Sequence, residues 1–172
     1  KSVERYYQIL EDTLVGFSLP AYSRSVRKQQ AMKPKFYLFD LGIKRSLEGT
    51  IDIPVKTQTS LYGQLFEEFI ILECFRLNDY FETDYRFSYL MTKDGAEIDL
   101  IIEKGKSPPI LIEIKSKSEV FSEDLRHLKN LGNAFSNSKK WVLAQTPNKK
   151  TIDDIMIVPW QEGLRELWPN LA

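Results

Sequence analysis

Residues 96–115 read AEIDLIIEKGKSPPILIEIK, and this stretch decides the fold. Two apolar runs, AEIDLIIE (96–103) and ILIEIK (110–115), flank EKGKSPP, whose Gly and Pro residues mark a turn. Side chains alternate across a strand. Glu97, Asp99 and Ile101 therefore share one face of the first run, and Ile98, Leu100 and Ile102 the other. In the second run Leu111, Glu113 and Lys115 oppose Ile110, Ile112 and Ile114. Each strand is predicted to be apolar on one side, with ionisable groups in its middle on the other. The short turn predicts that the two strands pair, which would bring Asp99, Glu113 and Lys115 onto one patch.

Two carboxylates a few ångströms apart repel unless a cation bridges them. Oxygen ligands on rigid strands suit Mg²⁺ or Mn²⁺, which makes Asp99 and Glu113 candidate metal ligands. A lysine two residues after a ligand can orient water or offset charge on a phosphate, so Lys115 is a candidate catalytic group. These are the parts of metal-assisted phosphodiester hydrolysis. A surface ion pair on a solvated sheet face is the plainer reading of Glu113 and Lys115 alone. Asp99 on a neighbouring strand and a carboxylate on the preceding helix favour a site. Glu97 reads as peripheral. His127 and Lys129 are within reach of a phosphate or simply face solvent.

Working outward, SLYGQLFEEFIILECFRL (60–77) is the strongest helix, apolar around most of its circumference and therefore buried. It carries Glu67 and Glu68, and because successive residues lie ~100° apart only one of them should face the site. DYRFSYLM (84–91) reads as a strand joined to AEIDLIIE by a turn with Asp94-Gly95. SEDLRHLKNLGNAF (122–135) reads as a helix with Ser122 as N-cap, KWVLAQT (140–146) and IMIVPW (155–160) as strands, and QEGLRELW as a closing helix. The order helix, three strands, helix, strand predicts an α/β (α+β) sandwich with an antiparallel meander in a mixed central sheet. Upstream, residues 2–12 have helical spacing, KFYLFDLG reads as a strand ending at Gly42, and 43–60 reads as loop. Helix, basic turn and strand pair resemble the end of a winged-helix unit, so residues 1–42 are taken as a winged-helix remnant and 43–172 as the main domain.

The chain has 172 residues with 24 basic and 24 acidic side chains, a net charge of zero. The charges are segregated. Residues 13–39 contain Arg24, Arg27, Lys28, Lys33 and Lys35 and no acid, and residues 125–152 contain six Lys or Arg, among them Arg126 and Lys129, and again no acid. Residues 48–103 hold twelve acids against four bases. Basic segments attract phosphate backbones and clustered acids attract divalent metals, so Arg24, Arg27, Lys28, Arg126 and Lys129 are candidate nucleic-acid contacts. One cysteine, Cys74, excludes an internal disulfide framework, and no apolar run spans a membrane. Cys74 and the three tryptophans read as core. The start at Lys1 without a signal-like stretch reads as an internal piece of a longer cytoplasmic protein.

The helix with Glu67, then Asp99, then Glu113-Ile114-Lys115 resembles the PD-(D/E)XK nuclease superfamily, which includes restriction endonucleases and archaeal Holliday junction resolvases. KFYLFDLGI, GQLFEEFIILEC, GAEIDLIIE, ILIEIKSKS and IVPWQEGLREL also follow the order seen in the nuclease-like domain located after the AAA-type ATPase module of many prokaryotic ATP-binding proteins. The resemblance implies a restriction-endonuclease-like core, Asp99 and Glu113 as metal ligands, Lys115 as the catalytic lysine and Glu67 as the helix acid. Ile98 stands where the motif's proline would be. The implied cofactor is Mg²⁺ or Mn²⁺, and the implied partners are DNA and the chain's own ATPase module. No G-x-x-x-x-G-K-[ST] phosphate loop is present in this stretch. A catalytically silent module that binds DNA or a protein and regulates the ATPase is the alternative. A homo-oligomerisation domain with a structural ion-pair face is a third reading.

Overall fold

The computed structural model describes residues 2–23 and 33–171. In chain order the elements are α1 (Ser2–Asp12), β1 (Gly16–Leu19), β2 (Lys35–Leu38), α2 (Leu41–Leu47), α3 (Ser60–Tyr80), β3 (Arg86–Met91), β4 (Glu97–Glu103), β5 (Ile110–Lys115), a 3-10 turn (Ser122–Leu125), α4 (Arg126–Gly132), β6 (Lys139–Ala144), β7 (Lys150–Ile152), β8 (Ile155–Pro159) and α5 (Trp160–Leu167). The fold is a mixed α+β one. Six strands form a sheet in the order β3-β4-β5-β6-β8-β7, and β1 and β2 form a small antiparallel pair. The meander β3-β4-β5 is antiparallel, whereas β5-β6 and β6-β8 are parallel.

Both faces of the sheet are covered. On one, Phe66, Ile70, Ile71 and Cys74 of α3 and Leu164 and Leu167 of α5 pack against Leu100, Ile102, Ile112, Ile114 and Leu143. On the other, Leu128 of α4 and the flanking Val120, Leu125 and Phe135 pack against Ile101, Leu111, Val142 and Ile157. The face of β4 and β5 that carries the ionisable groups is thus also covered, by α4 and its flanking residues, and Asp99 and Glu113 are buried. Trp141 and Trp168 are core and Trp160 is half-buried.

Residues 43–60 are not all loop. Asp40 N-caps α2 by accepting the Ile43 N–H at 2.9 Å, so β2 stops at Leu38 rather than running to Gly42. Ser122 is not a cap, because Asp124 instead accepts the Phe121 N–H at 3.0 Å. The N-terminal segment is joined to the main core. Leu19, Ala21 and Tyr37 are buried in the α3-side cluster, and Phe17 stacks on Phe75 of α3 at 3.7 Å between ring centroids. Residues 20–22 also extend along the outer edge of β3, where Tyr89 N donates to Pro20 O and Tyr22 N to Tyr89 O. That contact covers an otherwise bare strand edge. Among the described residues no helix is long and apolar enough to cross a membrane.

Candidate functional site

The site lies where the carboxyl end of β5 meets the amino end of β4. Those strands pair through Ile102↔Ile110, Ile101↔Leu111 and Leu100↔Ile112, and the ladder stops one position before Asp99 and Glu113. There the Asp99 carboxylate takes over, and its Oδ2 accepts the Ile114 N–H at 2.7 Å. On the other side of β4 the register slips at the same place. Ser88 faces Ile101 while Leu90 faces Ile98, so Asp99 and Leu100 together oppose Tyr89. An extra residue of this kind bends the strand and re-aims its side chains. It also corrects the predicted faces, because Ile98 joins Ile101 in the α4-side core instead of lying with Leu100 and Ile102.

Asp99 is 7% exposed and Glu113 6%, an unusual depth for two charged groups. Lys115 Nζ lies 2.6 Å from Glu113 Oε1. Glu113 Oε2 is buried with no hydrogen-bond partner. Burial and the charges of Glu113 and Glu67 hold Asp99 well above the usual carboxylate range, against the pull of the Ile114 N–H and Lys115. Burial also raises Glu113, although Lys115 and His127 on α4 oppose it. Burial works against the Lys115 ammonium, but Glu113 and Asp99 prevail and raise its pKa.

Glu67 and Glu68 part company on α3. Glu68 pairs with Lys44 of α2. Glu67 turns to the cluster, where burial, Glu97 and Glu113 raise its pKa while Lys35 lowers it. Two members of this cluster were not expected from the sequence. Lys35 on β2 pairs with Glu97 and lies 3.6 Å from Glu67, and Glu97, expected at the periphery, is its main partner. Tyr37, two residues along the same strand, has its hydroxyl pKa driven up by burial and by Glu67, Glu68, Glu97 and Asp99. The sequence signal for Lys35 is faint: a lysine that opens an otherwise apolar strand at the end of an acid-free segment. A cleft of about 490 Å³ lies over this group, lined by Lys35, Tyr37, Lys44, Gln64, Glu67 and Glu97 among others.

The donors fit an oxygen-preferring divalent ion such as Mg²⁺ or Mn²⁺. Asp99 and Glu113 are adjacent and buried, and Glu113 Oε2 is an acceptor that nothing in the described protein satisfies. No three His, Cys, Asp or Glu side chains among the described residues are gathered tightly enough to form a ready-made metal centre. Of the candidate nucleic-acid contacts, Arg126 is exposed, and Lys129 is exposed but paired with Asp153 at 2.6 Å. Arg24, Arg27 and Lys28 lie outside the described residues.

Residues 62–162 match the family described as "Domain of unknown function (DUF4143)", and residues 1–53 match the one described as "Domain of unknown function (DUF8612)". No curated protein matches the chain.

Proposed function

The chain belongs to the DUF4143 family, which covers more than half of it, and from that premise we propose that it is a divalent-metal-dependent DNA phosphodiesterase of endonuclease type. The observation that carries this reading is the buried Asp99–Glu113 pair with Lys115 at 2.6 Å and one Glu113 oxygen left without a partner. A structural ion pair needs no second buried carboxylate, and burying one without a counter-charge is costly. Asp99 and Glu113 would hold Mg²⁺ or Mn²⁺, with Glu67 completing the acidic wall from α3. Such an ion, when bound, lowers the pKa of water and offsets charge on phosphate oxygens. The Ile114 N–H fixes Asp99, and Glu113 holds Lys115 where its ammonium can orient a water or meet the phosphate. Arg126 and Lys129, with Arg24, Arg27 and Lys28, would grip the backbone of DNA. The domain would work beside an AAA-type ATPase module of the same protein.

The decisive assay is nicking of supercoiled, linear and branched DNA with Mg²⁺, with Mn²⁺ and with EDTA. Cleavage is expected with either metal and not in EDTA. Lys115→Ala should lower the rate by roughly 10²–10⁴-fold and leave DNA binding nearly intact. One observation favours a second reading, that of a silent DNA- or protein-binding module: the cluster already holds internal cations, Lys115 on Glu113 and Lys35 on Glu97. That reading prevails if wild type and Lys115→Ala give the same residual cleavage on every substrate.

A further inference from the structure

We propose that Lys35 is a tethered counter-ion of the acidic site, one that a divalent cation must displace in order to bind. The proposal rests on the metal-site reading above and adds a gate to it. Among the lysines of the described residues, Lys35 is set apart by three contacts at once. Its ammonium pairs with Glu97, lies 3.6 Å from Glu67 and sits 5.2 Å from the centre of the Tyr89 ring. Its side chain is only 28% exposed. With Glu67 and Glu97 it lines the same cleft.

The physical argument begins with charge. Glu97, Asp99 and Glu113 on the sheet and Glu67 on α3 form a cluster of acids, in which neighbouring acid charges raise the pKa values of Glu67, Asp99 and Glu113. Lys115 answers Glu113, which leaves Glu67 and Glu97 to Lys35. A lysine ammonium is a compact point charge on a flexible stem, so it can leave without disturbing the strand that carries it. Lys35 stands at the terminal position of the two-stranded sheet, opposite Leu19. A divalent ion brings two charges into the same field and repels the ammonium, so the two compete for Glu67 and its neighbours.

The gate also has a separate origin in the chain. Lys35 lies in the segment 1–53 that matches one family, whereas Glu67, Glu97, Asp99, Glu113 and Lys115 lie in the 62–162 match. The N-terminal segment thereby reaches across the fold to the site. By linkage, whatever favours the released position of Lys35 must tighten metal binding by the same factor, and metal must favour that position in return.

The test is a Mn²⁺ titration of wild type, Lys35→Met and Lys35→Arg, followed by the electron-spin resonance signal of free Mn²⁺. Lys35→Met should bind Mn²⁺ about tenfold more tightly than wild type, and Lys35→Arg should stay near wild type. Equal or weaker binding by Lys35→Met, with wild type binding normally, overturns the gate and leaves the metal site standing. Absence of Mn²⁺ binding in all three overturns the metal site and the gate together. Should Lys35→Met fail to fold, wild type answers the question through acylation of lysine amines read by mass spectrometry. Saturating Mn²⁺ should raise the acylation rate of Lys35 several-fold while Lys129, paired elsewhere with Asp153, stays constant. An unchanged Lys35 rate with Mn²⁺ bound overturns the proposal.

Discussion

Asp99 concentrates the chemistry of the site in one residue. It is buried, the charges of Glu113 and Glu67 act on it, and its one backbone hydrogen bond does not offset that environment. In the metal-free protein its charge opposes folding. Asp99→Asn keeps an acceptor for the Ile114 N–H and removes the charge, so the metal-free variant should gain on the order of 1 kcal/mol. For a chain of this size that corresponds to a melting temperature roughly 2–4 °C higher, measurable by calorimetry in EDTA. The same variant should lose most of its affinity for Mn²⁺. The pH dependence follows with a definite sign. Asp99, Glu67 and Glu113 have native pKa values above their unfolded ones, so the native state holds these protons more tightly. Their stabilising contribution is complete below the ordinary carboxylate range near ~4 and is lost as pH rises through the native values. Metal-free protein should therefore melt higher at about pH 5.5 than at about pH 7.5. Asp124 acts oppositely, since its bonds from Lys117 and the Phe121 N–H outweigh burial and hold it below the usual range, so stability should fall again in stronger acid. Saturating Mn²⁺ should reverse the trend above about pH 5, because metal binds the deprotonated carboxylates. A melting profile in EDTA that rises steadily from about pH 5 to about pH 8 would contradict the assignment of these pKa shifts.

At the scale of elements, the local devices are of ordinary kind, but their placement is not. The slip in β4 sits at Asp99, so the one irregularity of the meander coincides with the site. α5 shows how tightly a covering helix is set. A Cβ at Gly163 would overlap Leu143 Cδ2 of β6, and Val158 Cγ1 lies 3.8 Å away. Ala is a better helix former than Gly by about 1 kcal/mol, which alone would stabilise α5. Leu143 is fully buried and cannot move aside, so overpacking by about 1–3 kcal/mol should prevail. Gly163→Ala is expected to lower the denaturant midpoint with an unchanged slope, and a stabilised variant would show that α5 lifts freely from the sheet.

At the scale of the whole molecule, the N-terminal segment and the sheet share one core and are expected to unfold as one unit. Leu19 and Ala21 are almost fully buried and Tyr37 nearly so, all in the cluster that α3 shares with the sheet. Removing residues 2–39 would expose the α3 surface around Phe75 together with the outer edge of β3. Each large apolar side chain concerned contributes about 1.5–3 kcal/mol, so the loss should amount to several kcal/mol. The truncated chain is expected to melt far lower and to be cut rapidly by protease. A truncation that retains the full melting temperature would make residues 2–39 an independent unit.

Local pattern determined much of this protein. Apolar periodicity located α3, the three-strand meander, β6 and the closing helix, because each must bury a continuous stripe or face wherever it ends up. Alternation along β5 put Glu113 and Lys115 on one side, and the short 103–109 turn brought Asp99 beside them. Tertiary structure decided the rest. A one-residue slip against β3 cannot be read from β4 itself, because it depends on the partner strand, and it moved Ile98 to the opposite core. The choice of Glu67 over Glu68 required α2, since Lys44 claims the second acid. Lys35 belongs to an acid-free stretch that reads as a surface for phosphates. It reaches Glu97 and Glu67 only because Phe17, Leu19 and Tyr37 anchor its strand on α3. Coulomb energy depends on distance in space, and only the packed fold sets that distance for residues thirty to sixty apart in the chain.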